Sequence, residues 1–496
     1  MAGELTGRIS GVPAEVWNEE ILAPQFAYEA EHLLGHYAAI ERVLLLEYRR
    51  MGLVDAAGAA AIAERLDSLD AAAVRADPRE NMSDISFAIE RHVAAGSAPP
   101  FTAWHVDRSR NDLQSCAQLM AAREQVAAIA RELLALARAA GELAREYTDV
   151  PMPGYTHAQA AQIITPGFYF AAVAGETLGC VRRLLAVYDE IDASPLGAGT
   201  MAGQELPWDR DRMAKLLGFA RPQAHALVSV ASRGWALAVA MELSTFAVTL
   251  SRFGTDLMTW GGGGYGFLEL PDELSGISAA MPQKRNFPVL ERLRGRCAHV
   301  TGLAFDLANG QRNSAFANTV EVSKEAGAQL QGQFEAMRSV LRIALVVVRN
   351  LSFHAERMRE ACEAEFLGGF TLANRLTLDE AVPWRTAQVI AGRYIKRAIE
   401  AGSTPAEPDG ALLEAVAAEA GHPVRDGRAL LAATLGVAEG LRAKRSAGST
   451  HPDAVRAMLA DQDAEAAELG KGWARRGRAG HDAATEVNAL LYDVEP

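Results

Sequence analysis

From Leu113 to about Tyr147 the sequence is rich in Ala, Leu and Arg, contains no proline, and spaces its apolar residues three and four apart. That spacing keeps one face of an α-helix apolar along its length. At about 1.5 Å per residue the run predicts a rod of roughly 50 Å. Pro151 and Pro153 stop it, because proline has no backbone hydrogen to donate and clashes with the preceding turn. The same pattern returns at about Thr165–Ile191, Ser232–Trp260, Val289–Gly310 and Val320–Asn350. Helices well beyond the usual length of about 11–12 residues are held mainly by packing against one another lengthwise. The fold is therefore expected to be all-α, with a central long-helix bundle, and association of subunits is a natural consequence.

Shorter helical patterns flank the long ones, so three helical domains are expected, at 1–111, 112–360 and 361–496. The last stretch reads as a charged helix or tail of little information. With 496 residues and 49% hydrophobic content the chain can bury a large core, and a net charge of −13 argues against nucleic acid or a membrane surface as partner. An anionic substrate would then need a local cluster of cations. Cys116, Cys180, Cys297 and Cys362 are far apart in apolar, helix-like contexts and read as buried free thiols without metal-type spacing. No unbroken apolar run suggests a membrane span and no targeting pattern opens the sequence, so a cytoplasmic location is expected. Gly261–Gly264 lacks the Lys and Ser/Thr of a phosphate loop and reads as a flexible helix exit.

Chemistry is expected in the polar connections at Trp104–Asp112, Val150–Gln159 and Gly261–Phe287. The loop Ser275–Glu291 brings together Ser278, Lys284 and Asn286 between Pro282 and Pro288. Ser109, Arg110 and Asn111 precede a long helix, where amide hydrogens and a guanidinium suit a carboxylate. A Pro-kinked loop exposes Thr156, His157 and Gln159. Each has a plainer reading when taken alone: a surface loop, a cap formed by Asn111 or Asp112, and a structural histidine.

In combination the segments resemble the argininosuccinate lyase branch of the aspartase/fumarase superfamily, over nearly the whole chain. The family's MPQKKNP-type signature appears as MPQKRNFP, its RSRND is unchanged at Arg108–Asp112, and its PGYTHLQ appears as PGYTHAQ at Pro153–Gln159. SPLGAGTMAG, GFLELPDELS, VPWR and THPDAVR extend the similarity. The resemblance implies a homotetramer whose central domains form a twenty-helix core, with active sites shared by three subunits and no cofactor or metal. It implies a small dicarboxylate substrate and anti β-elimination from an N-substituted aspartate, giving fumarate and an amine. Ser278 matches the general base, Lys284 and Asn286 the groups holding the aci-carboxylate, and Ser109, Arg110, Asn111, Thr156 and Gln159 further substrate contacts. His157, paired with Glu291, matches the candidate for protonating the departing nitrogen.

The departures from the family pattern fall where the amine half is recognised. YNKDLQEDK appears as FANTVEVSK, so a tyrosine becomes Phe316, a glutamine becomes Glu321, and only Lys324 survives. EDIH appears as SDIS at Ser83–Ser86, and NSxDAVSDRD as HALVSVASRG at His225–Gly234, losing three acidic residues. The expectation is a specialised lyase, such as an ethylenediamine-disuccinate lyase, with true argininosuccinate lyase as the alternative. Carbon–oxygen elimination, muconate cycloisomerisation and a non-enzymatic crystallin-like use of the fold are minor alternatives.

Overall fold

The computed structural model describes residues 7–9, 11–95 and 101–492. Eight helices organise it: α1 (Ala23–His32), α2 (Leu34–Arg50), α3 (Arg110–Glu146), α4 (Pro166–Ile191), α5 (Gly234–Gly261), α6 (Pro288–Gln311), α7 (Ala328–Asn350) and α8 (Pro452–Tyr492). The five long patterns of the sequence correspond to α3–α7, and the all-α class holds. Strands are confined to short two-stranded pieces, of which two matter below: β1 (Met152–Thr156) with β2 (Gln159–Ile164), and β3 (Leu268–Glu269) with β4 (Ser352–Phe353).

The bundle has two ends, set by the direction of each helix. At the lower end α3 starts behind Ser109, the Arg233 guanidinium preceding α5 bonds Ser115 and Gln118 of α3, and Gln311 closing α6 donates to the Arg233 carbonyl. At the upper end Tyr147 after α3 stacks edge-on with Phe353 after α7 at 5.1 Å, and Trp260 of α5 meets Tyr169 of α4 at 4.6 Å. The 37 residues of α3 separate these ends by about 55 Å.

Backbone contact fixes the upper corner. Thr165 caps α4 by accepting from the Phe168 amide at 2.9 Å, Pro166 opens the helix, and Gly167 donates to the Tyr147 carbonyl at 3.1 Å. A Cβ at Gly167 would lie 2.5 Å from the Ala144 carbonyl oxygen and 2.6 Å from the Thr148 Cα, so glycine alone permits this approach.

One core runs from Phe26 to Met358 and takes in Val455, Leu459, Leu469, Trp473, Val487 and Leu491 of α8. A second core is confined to residues between Leu372 and Leu435. The C-terminal 41-residue helix therefore belongs with the bundle, where Arg476 holds Asp189 by two hydrogen bonds and Lys215 reaches Glu486 at 2.9 Å. Its apolar residues are thinly spaced among charges, which is why the sequence there reads as a polar tail. All four cysteines are buried and free.

Helix α5 is the one described helix whose length and hydropathy would suit a membrane span, yet Val239, Leu243, Phe246, Leu250 and Leu257 pack inside the bundle. Its exposed stripe is Thr245, Val248, Arg252, Thr255 and Thr259. The hydroxyls of Thr245, Thr249, Thr255 and Thr259 each donate to the helix carbonyl four residues back, and Ser251 to the one three back. Arg252 apart, the face has its hydroxyl donors already satisfied, so covering it leaves none of these hydroxyls unmet.

Gly167→Ala is expected to lower stability by about 1–3 kcal/mol through overpacking at the α3–α4 corner. The check is a thermal melt that shifts down by several degrees while far-UV circular dichroism keeps its helical shape.

Candidate active site

The Arg108–Asp112 segment sorts its side chains by direction. The Arg108 side chain is buried and forms two hydrogen bonds with the Glu41 carboxylate of α2. Burial pushes the Glu41 carboxyl up, but Arg108 and His105 outweigh it and leave the group below its ordinary value. Asp112 is also buried, accepting at 3.0 Å from both Gly197 and Gly199 amides, and burial raises its carboxyl to about 6. These two inward groups fasten the start of α3 to α2 and to the SPLGAGTMAG loop.

Ser109 is the cap of α3, accepting from the Asn111 amide at 3.2 Å, rather than Asn111 or Asp112. Its hydroxyl hydrogen remains available to a ligand. Arg110 points outward, 2.5 Å from Asp84 and over the Phe87 ring at 5.1 Å, while Asn111 donates to the Thr200 carbonyl at 3.0 Å. Asp107, with a positive φ of 58°, is held by the Leu206 amide at 2.8 Å and the Trp208 indole at 2.9 Å. The backbone before the cap is therefore strained and pinned.

The segment 312–325 lies at this same lower end. Lys324, in a π-helical turn Glu321–Glu325, sits 3.8 Å from the buried Glu29 of α1, and Gln118 donates to the neighbouring Ser323 carbonyl at 2.8 Å. Lys324 lines a cavity of about 320 Å³ together with Gln25, Tyr28, Glu29, Gln114, Gln118 and Arg233. Phe316 and Glu321 are exposed and do not line it. The sequence reading missed Glu29 and Arg233; its available signal was the four-residue step from Arg110 through Gln114 and Gln118 along one face of α3.

The remaining residues occupy the upper end. Val150–Gln159 is not a Pro-kinked loop: it enters the β1–β2 hairpin, with His157 and Ala158 both at positive φ, 54° and 60°, in a two-residue turn. Thr156, His157 and Gln159 are exposed at its tip. The catalytic-loop candidate is closed at its neck by Gly276 and Asn286, which exchange backbone hydrogen bonds of 2.8 and 3.0 Å. A Cβ at Gly276 would lie 2.8 Å from Pro288, so the neck requires glycine. Arg285 ties the same neck to the Leu270 carbonyl at 2.6 Å and to Asp272 at 2.9 Å.

Above the neck Ser278 Oγ accepts from the Met281 amide at 3.1 Å. Ile277 is 94% exposed. Lys284 and Glu291 are exposed and have no ion-pair partner among the described residues, and none joins His157 to Glu291 within the chain. Among the described residues no group of three or more His, Cys, Asp and Glu side chains is arranged to hold a metal ion. The candidate residues thus fall into two clusters at opposite ends of the bundle.

The model of the lyase family matches residues 25–302. The argininosuccinate lyase of Thermus thermophilus is 31% identical over 78% of this chain and 82% of its own length. That of Methanothermobacter thermautotrophicus is 29% identical over 82% of this chain and 87% of its own. EDDS lyase in complex with formate superposes with a TM-score of 0.85 at 22% identity, covering 98% of this chain and 96% of that one, which speaks to the fold alone. The chain belongs to the lyase family as an argininosuccinate lyase-like member of the aspartase/fumarase superfamily, in the class of fumarate-releasing carbon–nitrogen lyases.

Proposed function

We propose that the enzyme removes an amine other than arginine from an N-substituted L-aspartate by anti β-elimination, leaving fumarate. The observation that carries this reading is that outward-facing carboxylate binders and an amine-side cavity share the lower end, while the base and acid candidates share the upper end. Ser278 Oγ takes the proton from the carbon next to the one bearing nitrogen, and the electron pair moves into the adjacent carboxylate as an aci form. Lys284 and Asn286 stabilise that form. The pair then forms the double bond as the carbon–nitrogen bond breaks, and His157, supported by Glu291, delivers a proton to the departing nitrogen.

The Met281 amide already aimed at Ser278 Oγ is the kind of fixed donor an alkoxide needs. Ser109, Arg110, Asn111 and Thr156 take the carboxylates. With the half-sites about 55 Å apart along α3, no chain completes a site by itself, so the working enzyme is a homotetramer in which antiparallel copies bring the two ends together. The self-satisfied stripe of α5 is the surface suited to that core. The division at 111 and 360 is a functional one only, because the main core draws on all three segments, from Phe26 through Met358 to Leu491; its middle segment is the assembly core.

An ethylenediamine-disuccinate lyase-type substrate accords with Phe316 in place of a hydroxyl donor and Glu321 in place of an amide, both on the exposed surface outside the cavity of one chain. Argininosuccinate itself is the second reading, favoured by the names of the sequence relatives. Fumarate absorbance with a panel of N-substituted aspartates separates the two, and fast argininosuccinate turnover would overturn the first.

Ser278→Ala is expected to lower kcat by about a thousandfold or more with an unchanged melting temperature, since that hydroxyl bonds only within an exposed loop. Retained turnover would remove Ser278 as the base. Mixing inactive Ser278→Ala with inactive Arg110→Ala chains, unfolded and refolded together, should restore part of the activity, because some sites then combine intact half-sites. No recovery would argue that one chain supplies the whole site. Val248→Asp on the α5 stripe should dissociate the assembly in sedimentation and abolish turnover together; an active, intact tetramer would place that face outside the interface.

A further inference from the structure

A separate cavity lies at the start of α8, away from every residue the mechanism uses. It holds about 450 Å³ and is lined by Arg442, Lys444, Arg445, Ser449, His451 and the first turn of the helix. Arg442, Lys444 and Arg445 make no ion pair among the described residues. Three cations within four residues repel one another, and they do so in a chain whose net charge is −13. The Lys444 ammonium lies 5.3 Å from the centre of the Phe370 ring, and burial pulls it below its ordinary value. The acid among the lining residues, Asp453, is already taken by Arg456 at 2.9 Å.

Directed donors stand beside these charges. His451 precedes α8, and its Nδ1 accepts from the Asp453 amide at 3.1 Å. The neutral ring then carries its hydrogen on Nε2, which is left to donate. Pro452 opens the helix, and a first helical turn favours negative charge. Ser449 Oγ and Thr450 Oγ1 are buried and make no hydrogen bond among the described residues, and Thr450 as a whole is 6% exposed. A buried hydroxyl left unmet is costly. Gly448, at a φ of 72°, turns the chain so that the cations and Ser449 border one space. The corner therefore holds unspent donors next to unspent positive charge.

We infer that this cavity binds a phosphate group, free or carried on a small metabolite. The arginines and the lysine supply charge, while His451 and the hydroxyls supply direction, and the several oxygens of a phosphate accept from more donors at once than a carboxylate can. The volume leaves room for a small organic portion beside the phosphate. The site stands apart from the elimination reading and does not depend on it. Structurally it adjoins the upper end: Leu441, next to Arg442, shares a small core with Ile163 of β2, and a Cβ on Gly440 would lie 2.8 Å from Ile163. An occupant steadies the segment against which the hairpin bearing Thr156 and His157 rests.

The test titrates the assembled enzyme with inorganic phosphate and with glycerol 3-phosphate, at an ionic strength held constant with chloride. It is run on an Arg110→Ala background, which disables the carboxylate binders at the other end of the bundle and so removes the competing place for an anion. Calorimetry should show saturable binding, and the melting temperature should climb with the logarithm of ligand concentration. Affinity should fall roughly tenfold when Lys444→Met is added, and further with Arg445→Met. No saturable binding, or binding unchanged in the Lys444→Met/Arg445→Met variant, overturns the inference. Should Lys444→Met melt early, Arg445→Met alone carries the comparison, since that side chain is exposed. Tighter binding of glycerol 3-phosphate makes the occupant a phosphorylated metabolite, and equal or weaker binding makes it the free ion; either result supports the site.

Discussion

The dependence of everything else is on the stiffness of α3. A helix of 37 residues cannot bend its ends together, and its neighbours α4–α7 run alongside it, so groups planted at the two ends of the bundle stay apart. Ser109, Arg110, Asn111 and Lys324 are planted at one end, and Thr156, His157, Ser278 and Lys284 at the other. Packing that makes the chain stable thereby keeps these candidate groups apart. The α5 stripe, with hydroxyls turned back onto their own helix, is a face that copies of the chain could cover without stranding those hydroxyls.

Around each cluster of candidate residues the same physical division recurs between groups that hold and groups that face outward. Arg108 and Asp112 are buried and partnered, so their charges fix position; Arg110 and Asn111, alternating with them, stay at the surface. Removing one partner of the Arg108–Glu41 pair would leave a lone buried charge, which is far worse than never having had the pair. At the other end Gly276, Asn286 and Arg285 clamp the loop neck, while the tip from Ile277 to Lys284 keeps only short-range bonds within itself. Placement is rigid where the groups are anchored and loose where the base candidate sits.

The bundle was legible because burial along a long helix writes itself into the sequence at three- and four-residue intervals. The polar motifs were legible because their residue types are unusual side by side. What stayed hidden depended on tertiary contact. The β1–β2 turn uses His157 and Ala158 at positive φ, where a glycine or asparagine would have signalled a hairpin. Helix α8 distributes few apolar residues over 41 positions, so its charges dominate the pattern. Ser109 was read among carboxylate binders with the cap assigned to a neighbour, since adjacent Ser, Asn and Asp all suit a cap and only the backbone geometry selects one. Glu29 and Arg233 are ordinary charged residues in one dimension, and only folding reveals that both are buried against one cavity.

The charge of the whole molecule sharpens the meaning of these local groups. A chain with net charge −13 repels a dicarboxylate at long range, and salt weakens that repulsion over about 8–10 Å. Attraction must then act at short range and inside low-dielectric walls, where a cation counts for more than it does in water. Arg110 is partly spent on Asp84, and Lys324 on Glu29. Of the cations named in the two clusters, Lys284 and Arg233 are left without a carboxylate among the described residues, one on the exposed loop of the upper end and one buried at the lower. They therefore differ in freedom to move: Lys284 rides on an exposed loop, whereas Arg233 is fixed by four neutral oxygens.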